Sequence, residues 1–256
     1  MFKKIIRYLI PLCSLALIAY SAWNLNTIRM EYKEGTDLYE GVSQQYTKPR
    51  IYPAKPSAPV EEEKKEGVPI EVDFETLKAS NSDVIGWIYC EDTIIDYPVV
   101  QADDNNYYLR RMLNGKYNKN GTIFMDYRNS ADLSDFHTII YGHNMKNNAM
   151  FGTLTEYASQ EYYEKHPVLW LLTPDKNYQI ELIGGFITPA DSEIYSFPTT
   201  AEGRDKLISI VRKKSNFTSE VEISAEDRIV TLSTCTYEYD DARYVLTGVL
   251  REYTEE

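Results

Sequence analysis

The segment RIVTLSTCTYEYDDARYVLTGVL, residues 228–250, ends an alternating β-branched run in a lone cysteine, Cys235. Residues 229, 231, 233 and 235 share one face of that run. RYVLTGVLREY is an equally good strand, and TYEYDDA between the two carries the turn-formers Asp240 and Asp241. In a hairpin symmetric about Tyr239, Cys235 and Arg243 stand directly opposite, with Cβ atoms roughly 5 Å apart. A guanidinium placed there favours a thiolate and stabilises an oxyanion as it forms. It cannot serve as a base, so a cysteine nucleophile still needs a proton carrier, usually a histidine.

The chain has three histidines, His137, His143 and His166. His166 precedes Pro167 at a polar junction and reads as a surface residue. His137 starts a strand and reads as packing or surface. His143 follows Gly142 just past a strand end in TIIYGHNM, a loop position on a rigid support where functional side chains are often held. The bland reading of Cys235 is a small buried hydrophobe, and the acidic loop after it disfavours a thiolate, which makes Arg243 the more necessary. Of the other cysteines, Cys90 lies in the strand-rich VIGWIYCEDTIIDYPVV and reads as a packed thiol, and Cys13 lies in an apolar N-terminal run; three cysteines do not make a disulfide framework.

The elements that must position these groups are mostly short strands, expected at 85–89, 94–99, 122–125, 137–141, 168–173, 178–188, 229–233 and 244–251. DFETLKASN reads as a short helix capped by Asp73. NNYYLRRML, MFGTLTEYASQEYYEKH and AEGRDKLISIVRKKSN have helical periodicity. Eight strands with few helices predict a mainly β fold, a closed or nearly closed barrel with peripheral helices.

Upstream, MFKKIIRYLIPLCSLALIAYSAW sets two lysines and an arginine before an apolar run roughly long enough to cross a bilayer. The basic flank would stay cytoplasmic, so residues 1–28 are expected to be an uncleaved signal anchor with the bulk of the chain outside the cell. Residues 29–70 are expected to be a stalk, helical at first and then, over 47–69, an extended Pro-rich linker. Residues 71–256 form the expected folded domain. The net charge is −12 over 256 residues; the first 30 hold Lys3, Lys4, Arg7 and Arg29 and no acid, which leaves 23 basic against 39 acidic residues and net −16 on the rest. Nucleic acid is not a partner for such a surface.

TLSTC with Arg243 eight residues on and YGHN upstream resembles the sortases, the cysteine transpeptidases of Gram-positive bacteria. The stretch from NSDVIGWIYC to FGTLTEY resembles class B specifically, as does a helical insertion at 201–216 between two late strands. The resemblance spans about residues 74–253. It implies an eight-stranded sortase β-barrel with N-terminal helices and a helix inserted between two late strands. It implies a triad of His143, Cys235 and Arg243, in which Cys235 attacks the carbonyl of a threonine in a C-terminal sorting motif of a secreted protein. His143 would protonate the leaving amine, and an amine of a cell-wall precursor would resolve the thioacyl-enzyme. Ser233, Asn105, Leu109, Ile194 and Tyr195 match regions that contact the peptide. No cofactor and no metal are implied. A mainly hydrolytic or pilin-polymerising enzyme of the same chemistry, or a non-catalytic extracellular scaffold with Cys235 buried, are the rival readings.

Overall fold

The computed structural model describes residues 2–50 and 67–254, with side chains from Pro11 onward. Most of the linker expected over 47–69 lies outside the described residues. In chain order the elements are α1 (Phe2–Tyr46), β1 (Thr47–Pro49), β2 (Ile70–Val72), α2 (Phe74–Ser80), β3 (Val84–Tyr89), β4 (Asp96–Val100), β5 (Ile123–Met125), β6 (His137–Tyr141), α3 (Gln160–Lys165), β7 (Val168–Leu172), β8 (Asn177–Pro189), α4 (Ala201–Lys214), β9 (Arg228–Cys235) and β10 (Ala242–Tyr253).

Strands β3 to β10 close into an eight-stranded barrel in the order β10-β8-β7-β3-β4-β5-β6-β9. Closure leaves no unpaired sheet edge. Every strand sends apolar residues inward, among them Ile88, Val99, Ile123, Ile140, Leu169, Ile180, Leu232 and Leu246, all buried. Pro98 is tolerated within β4 because β4 meets β5 only at Val99 and Val100, so the missing N–H costs no bond on that side. Helix α2 is capped as expected, the Asp73 carboxylate accepting from the Thr76 amide at 3.0 Å. Helix α4 packs Leu207 and Val211 with Ile183, Phe186, Val245 and Val249 in a second apolar cluster outside the barrel.

Two expected helices are shorter than their periodicity. NNYYLRRML forms only a 3-10 turn, Tyr108–Arg110, because Asp104 accepts from the amides of Asn106 and Tyr107 and ties the chain into a loop instead. The 150–166 stretch breaks at Ser159, which ends a 3-10 segment, Gly152–Ala158, and caps α3.

Residues 29–46 are helical, continuous with the N-terminal segment in one 45-residue helix, and their last turns lie against the barrel. Tyr39 and Tyr46 are buried there, with Tyr32, Leu38 and Val42 packed beside them. The Tyr39 hydroxyl donates to the Gly121 carbonyl at 2.5 Å, and Asn118 donates to the Glu31 carbonyl at 3.0 Å. Strand β1 then pairs antiparallel with β2. Among the described residues no helix is long and apolar enough to cross a membrane, so the spanning segment expected within 1–28 finds no support there; the side chains of its first residues lie outside the described residues.

Candidate active site

Cys235 ends β9, the strand on which the two other groups converge. On one side β9 pairs antiparallel with β10 in the register Arg243↔Cys235, the symmetric hairpin about Tyr239. On the other side β9 runs parallel to β6 with Tyr141 opposite Ser233. Continuing both chains two residues brings His143 alongside Cys235, so the cysteine lies between the histidine and the arginine.

The chain past β6 is stitched to β9 by backbone and side chain. The Gly142 amide donates to the Ser233 carbonyl at 3.1 Å, and Asn144 Nδ2 donates to the Cys235 carbonyl at 2.9 Å. A Cβ at residue 142 would stand 2.4 Å from Ile123 Cδ1 and 2.6 Å from Phe151 Cδ2, so only glycine fits this approach. The Tyr237 hydroxyl, from the β9–β10 loop, donates to the Asn144 carbonyl at 3.3 Å.

Cys235, His143 and Arg243 line one cavity of about 480 Å³, together with Asn105, Leu109, Phe124, Arg128, Tyr141, Tyr195 and Ser233. The volume and the mixed lining suit a peptide-sized ligand. His143 Nε2 lies 2.6 Å from the Leu109 carbonyl. A carbonyl only accepts, so Nε2 carries a proton and Nδ1 is the nitrogen left to exchange one. Burial, with the Arg110 charge beside it, holds the His143 imidazole below its usual range, against the pull of the Leu109 carbonyl. The ring is therefore neutral at physiological pH. Arg243 Nη1 donates to the Ala242 carbonyl at 3.0 Å. The arrangement can hold a nucleophilic sulfur, a proton carrier and a fixed cation around one reacting carbonyl.

Of the expected peptide contacts, Ser233, Asn105, Leu109 and Tyr195 line the cavity. Ser233 Oγ and the Tyr195 hydroxyl are 2.8 Å apart, and the Tyr195 ring stacks near Tyr141 at 6.3 Å. Ile194 does not line it. It belongs to the same 3-10 turn as Tyr195, Glu193–Tyr195, in which neighbouring side chains diverge by about 120°. Tyr195 therefore faces the cavity while Ile194 is buried with Phe186, Leu207 and Val211.

The remaining histidines and the second thiol have structural partners. His137 is buried, with Nδ1 2.9 Å from the Ser196 carbonyl and Nε2 2.8 Å from Thr231 Oγ1, and burial pushes its pKa down to about 4. His166 is half-buried, its ring against Tyr162. Cys90 is buried with its Sγ 3.7 Å from the Tyr157 hydroxyl, and burial raises its thiol. Among the described residues no group of His, Cys, Asp and Glu is placed to hold a metal ion.

Sequence reasoning missed Asp126 and Arg128, which form a 2.7 Å ion pair at the cavity wall, and Tyr141 beside them. Their only trace in the sequence is MDYRNS, an acid and a base two residues apart just after a strand.

A family profile described as Sortase domain matches residues 88–251. Sortase B of Listeria monocytogenes is 33% identical over 245 residues, covering 94% of this chain and 95% of that protein. The Staphylococcus aureus sortase B–substrate complex superposes with a TM-score of 0.72 at 26% identity, covering 88% of this chain and all of that one. Sortase B from Bacillus anthracis, in complex with AAEK1, gives 0.72 at 30% identity, covering 88% of this chain and 99% of that one.

Proposed function

The chain belongs to the sortase family, in its class B, and is a sortase cysteine transpeptidase; from that premise we propose how its residues divide the work and where in the cell they do it. Cys235 Sγ attacks the carbonyl carbon of a threonine in the C-terminal sorting motif of a secreted protein. The thiol proton passes to His143 Nδ1 as the S–C bond forms, and the leaving amine takes that proton from Nδ1 as the scissile C–N bond breaks, which returns the ring to neutral. Arg243 orients the peptide and balances the oxyanion in both tetrahedral intermediates. An amine of a cell-wall precursor then attacks the thioester and gives a proton to His143 Nδ1, which passes it to the departing Cys235 sulfur as the C–S bond breaks. The observation that carries this reading is the double pairing of β9, with Arg243 in register with Cys235 on one side and the His143 loop on the other.

The enzyme is further proposed to be held at the membrane by its N-terminal helix with the barrel outside the cell. Support comes from the basic head at Lys3, Lys4 and Arg7, and from Leu12, Leu15, Leu17, Ile18, Trp23 and Leu25, all exposed and unpacked along α1. A tethered barrel meets secreted substrates as they leave the bilayer.

The test is mass spectrometry of products from the full chain in detergent, given sorting-motif peptides with and without an amine acceptor. Amine-dependent transfer product is expected. Cys235→Ala abolishes turnover, His143→Ala nearly abolishes it, and Arg243→Ala costs roughly 10³-fold or more, the scale of losing an oxyanion donor, with the fold intact. Hydrolysis alone, unaffected by the amine, overturns the transfer step, and recovery of the full chain in the soluble fraction overturns the anchor.

A further inference from the structure

Asp126 lies directly after β5 with its side chain wholly buried, and the chemistry above does not use it. Its carboxylate accepts from five donors: the Arg128 amide at 3.0 Å, Arg128 Nε at 2.8 Å and Nη2 at 2.7 Å, Asn105 Nδ2 at 3.0 Å, and the Tyr141 hydroxyl at 3.0 Å. Asn105, Arg128 and Tyr141 all line the cavity that holds Cys235. One carboxylate thus fixes three wall residues drawn from three separate parts of the chain.

Each of the three is held on a second side as well. Asn105 Oδ1 accepts from the Tyr127 amide at 3.0 Å. The Arg128 guanidinium stacks on Phe197 at 4.4 Å. The Tyr141 ring lies against Tyr195, which in turn reaches Ser233. Burial alone would raise the Asp126 carboxyl, but the Arg128 bonds, with those of Asn105 and Tyr141, hold it below the usual carboxylate range. It is therefore a full negative charge at working pH, paired bidentately with a cation whose side chain is 45% exposed at the cavity.

We propose that Asp126 is a positioning and specificity-determining residue, which orders the peptide-binding wall and cancels the charge of Arg128 so that the groove selects uncharged peptide segments. The proposal rests on the reading of this cavity as the peptide groove. A guanidinium without its counter-charge in a half-desolvated wall would attract carboxylates strongly, because the effective dielectric there is far below that of water. With Asp126 in place this part of the wall, away from Arg243, offers hydrogen-bond donors and no net charge.

The experiment compares wild type and Asp126→Asn as full chains on matched peptides that carry a neutral or an acidic residue at each position around the cleaved bond. Melting temperature and the rate at which a small thiol reagent alkylates Cys235 are measured in parallel. The expected variant raises KM for the neutral peptide about tenfold with kcat within about twofold, as expected for lost binding geometry. Its ratio of kcat/KM for acidic over neutral peptides rises about fivefold, and that gain fades between about 0.05 and 0.5 M salt. Cys235 alkylation stays at the wild-type rate. An unchanged KM or an unchanged ratio, in a variant that melts like wild type, overturns the proposal. Should Asp126→Asn fail to fold, Arg128→Gln removes the cation instead: the selectivity must still move, and an unaltered ratio overturns the proposal in the same way. A wild-type enzyme that cleaves none of the peptides refutes the groove reading itself, whereas cleavage with unaltered selectivity in the variants refutes only the role of Asp126.

Discussion

At the scale of single residues, the proposed chemistry depends on how His143 is poised. Its Nε2 is committed to the Leu109 carbonyl, which fixes the tautomer and the ring plane. Burial and the Arg110 cation both lower its pKa. Replacing Arg110 by Gln removes a positive charge that disfavours the imidazolium, so the His143 titration should move up in pH. Histidine NMR of the full chain, wild type against Arg110→Gln, reads that movement; an unmoved or downward titration would show that burial alone sets the value. The meeting of Cys235, Arg243 and His143 at one cavity was legible in the sequence because each sits beside a local signal: a strand ending in cysteine, a facing arginine, a histidine after a strand-terminal glycine. Asp126 was not legible, since its meaning comes from Asn105 and Tyr141, partners 21 and 15 residues away.

At the scale of elements, the hairpin β9–β10 could be read from its symmetry about Tyr239, because hairpin pairing is local. The parallel pairing of β6 with β9 could not. It joins residues about 90 apart, and nothing in either strand names its partner. That pairing is also where the buried His137 works, since its ring ties β6 to Thr231 on β9 and to Ser196 in the loop that carries Tyr195. Nδ1 donates to the Ser196 carbonyl, so Nε2 must accept from the Thr231 hydroxyl, and only the neutral ring satisfies both. In the unfolded chain the imidazole takes its proton near the usual 6.5, while the folded protein resists until about 4. The unfolded state therefore binds more protons as pH falls through this window, and stability is lost between those two values. The contribution is about 3 kcal/mol across the window. Urea melts at pH 7 and near 4.5 should show wild type losing roughly 2–3 kcal/mol more than His137→Gln, whose side chain does not titrate. Equal losses would mean that His137 does not discriminate between its protonation states.

At the scale of the whole molecule, the question is whether residues 29–46 serve only as a spacer or belong to the folded domain. The strand pattern fixed the barrel because alternating runs must bury one face, and all eight expected strands are present. The docked half of α1 was harder to see, for its burying face is carried by tyrosines, Tyr32, Tyr39 and Tyr46, spaced seven apart among charges. Aromatic rings bury large area through such polar surroundings. Tyr39 meets Tyr97 edge-to-face at 5.6 Å. Its hydroxyl also satisfies the Gly121 carbonyl in the loop before β5, the strand that leads into Asp126. Burial of Tyr39 and Tyr46 together stabilises the barrel by roughly 3–6 kcal/mol. A chain beginning at residue 30 keeps these contacts, and one beginning at residue 67 loses them along with the β1–β2 pair. The shorter chain should melt at least about 6 °C below the longer, since for a domain of this size each kcal/mol moves the midpoint by about 2–4 °C. Calorimetry of the two chains decides it. Midpoints within about 2 °C of each other, less than 1 kcal/mol on that scale, would return residues 30–66 to the role of a tether, and the packing of α1 on the barrel would then carry no stability.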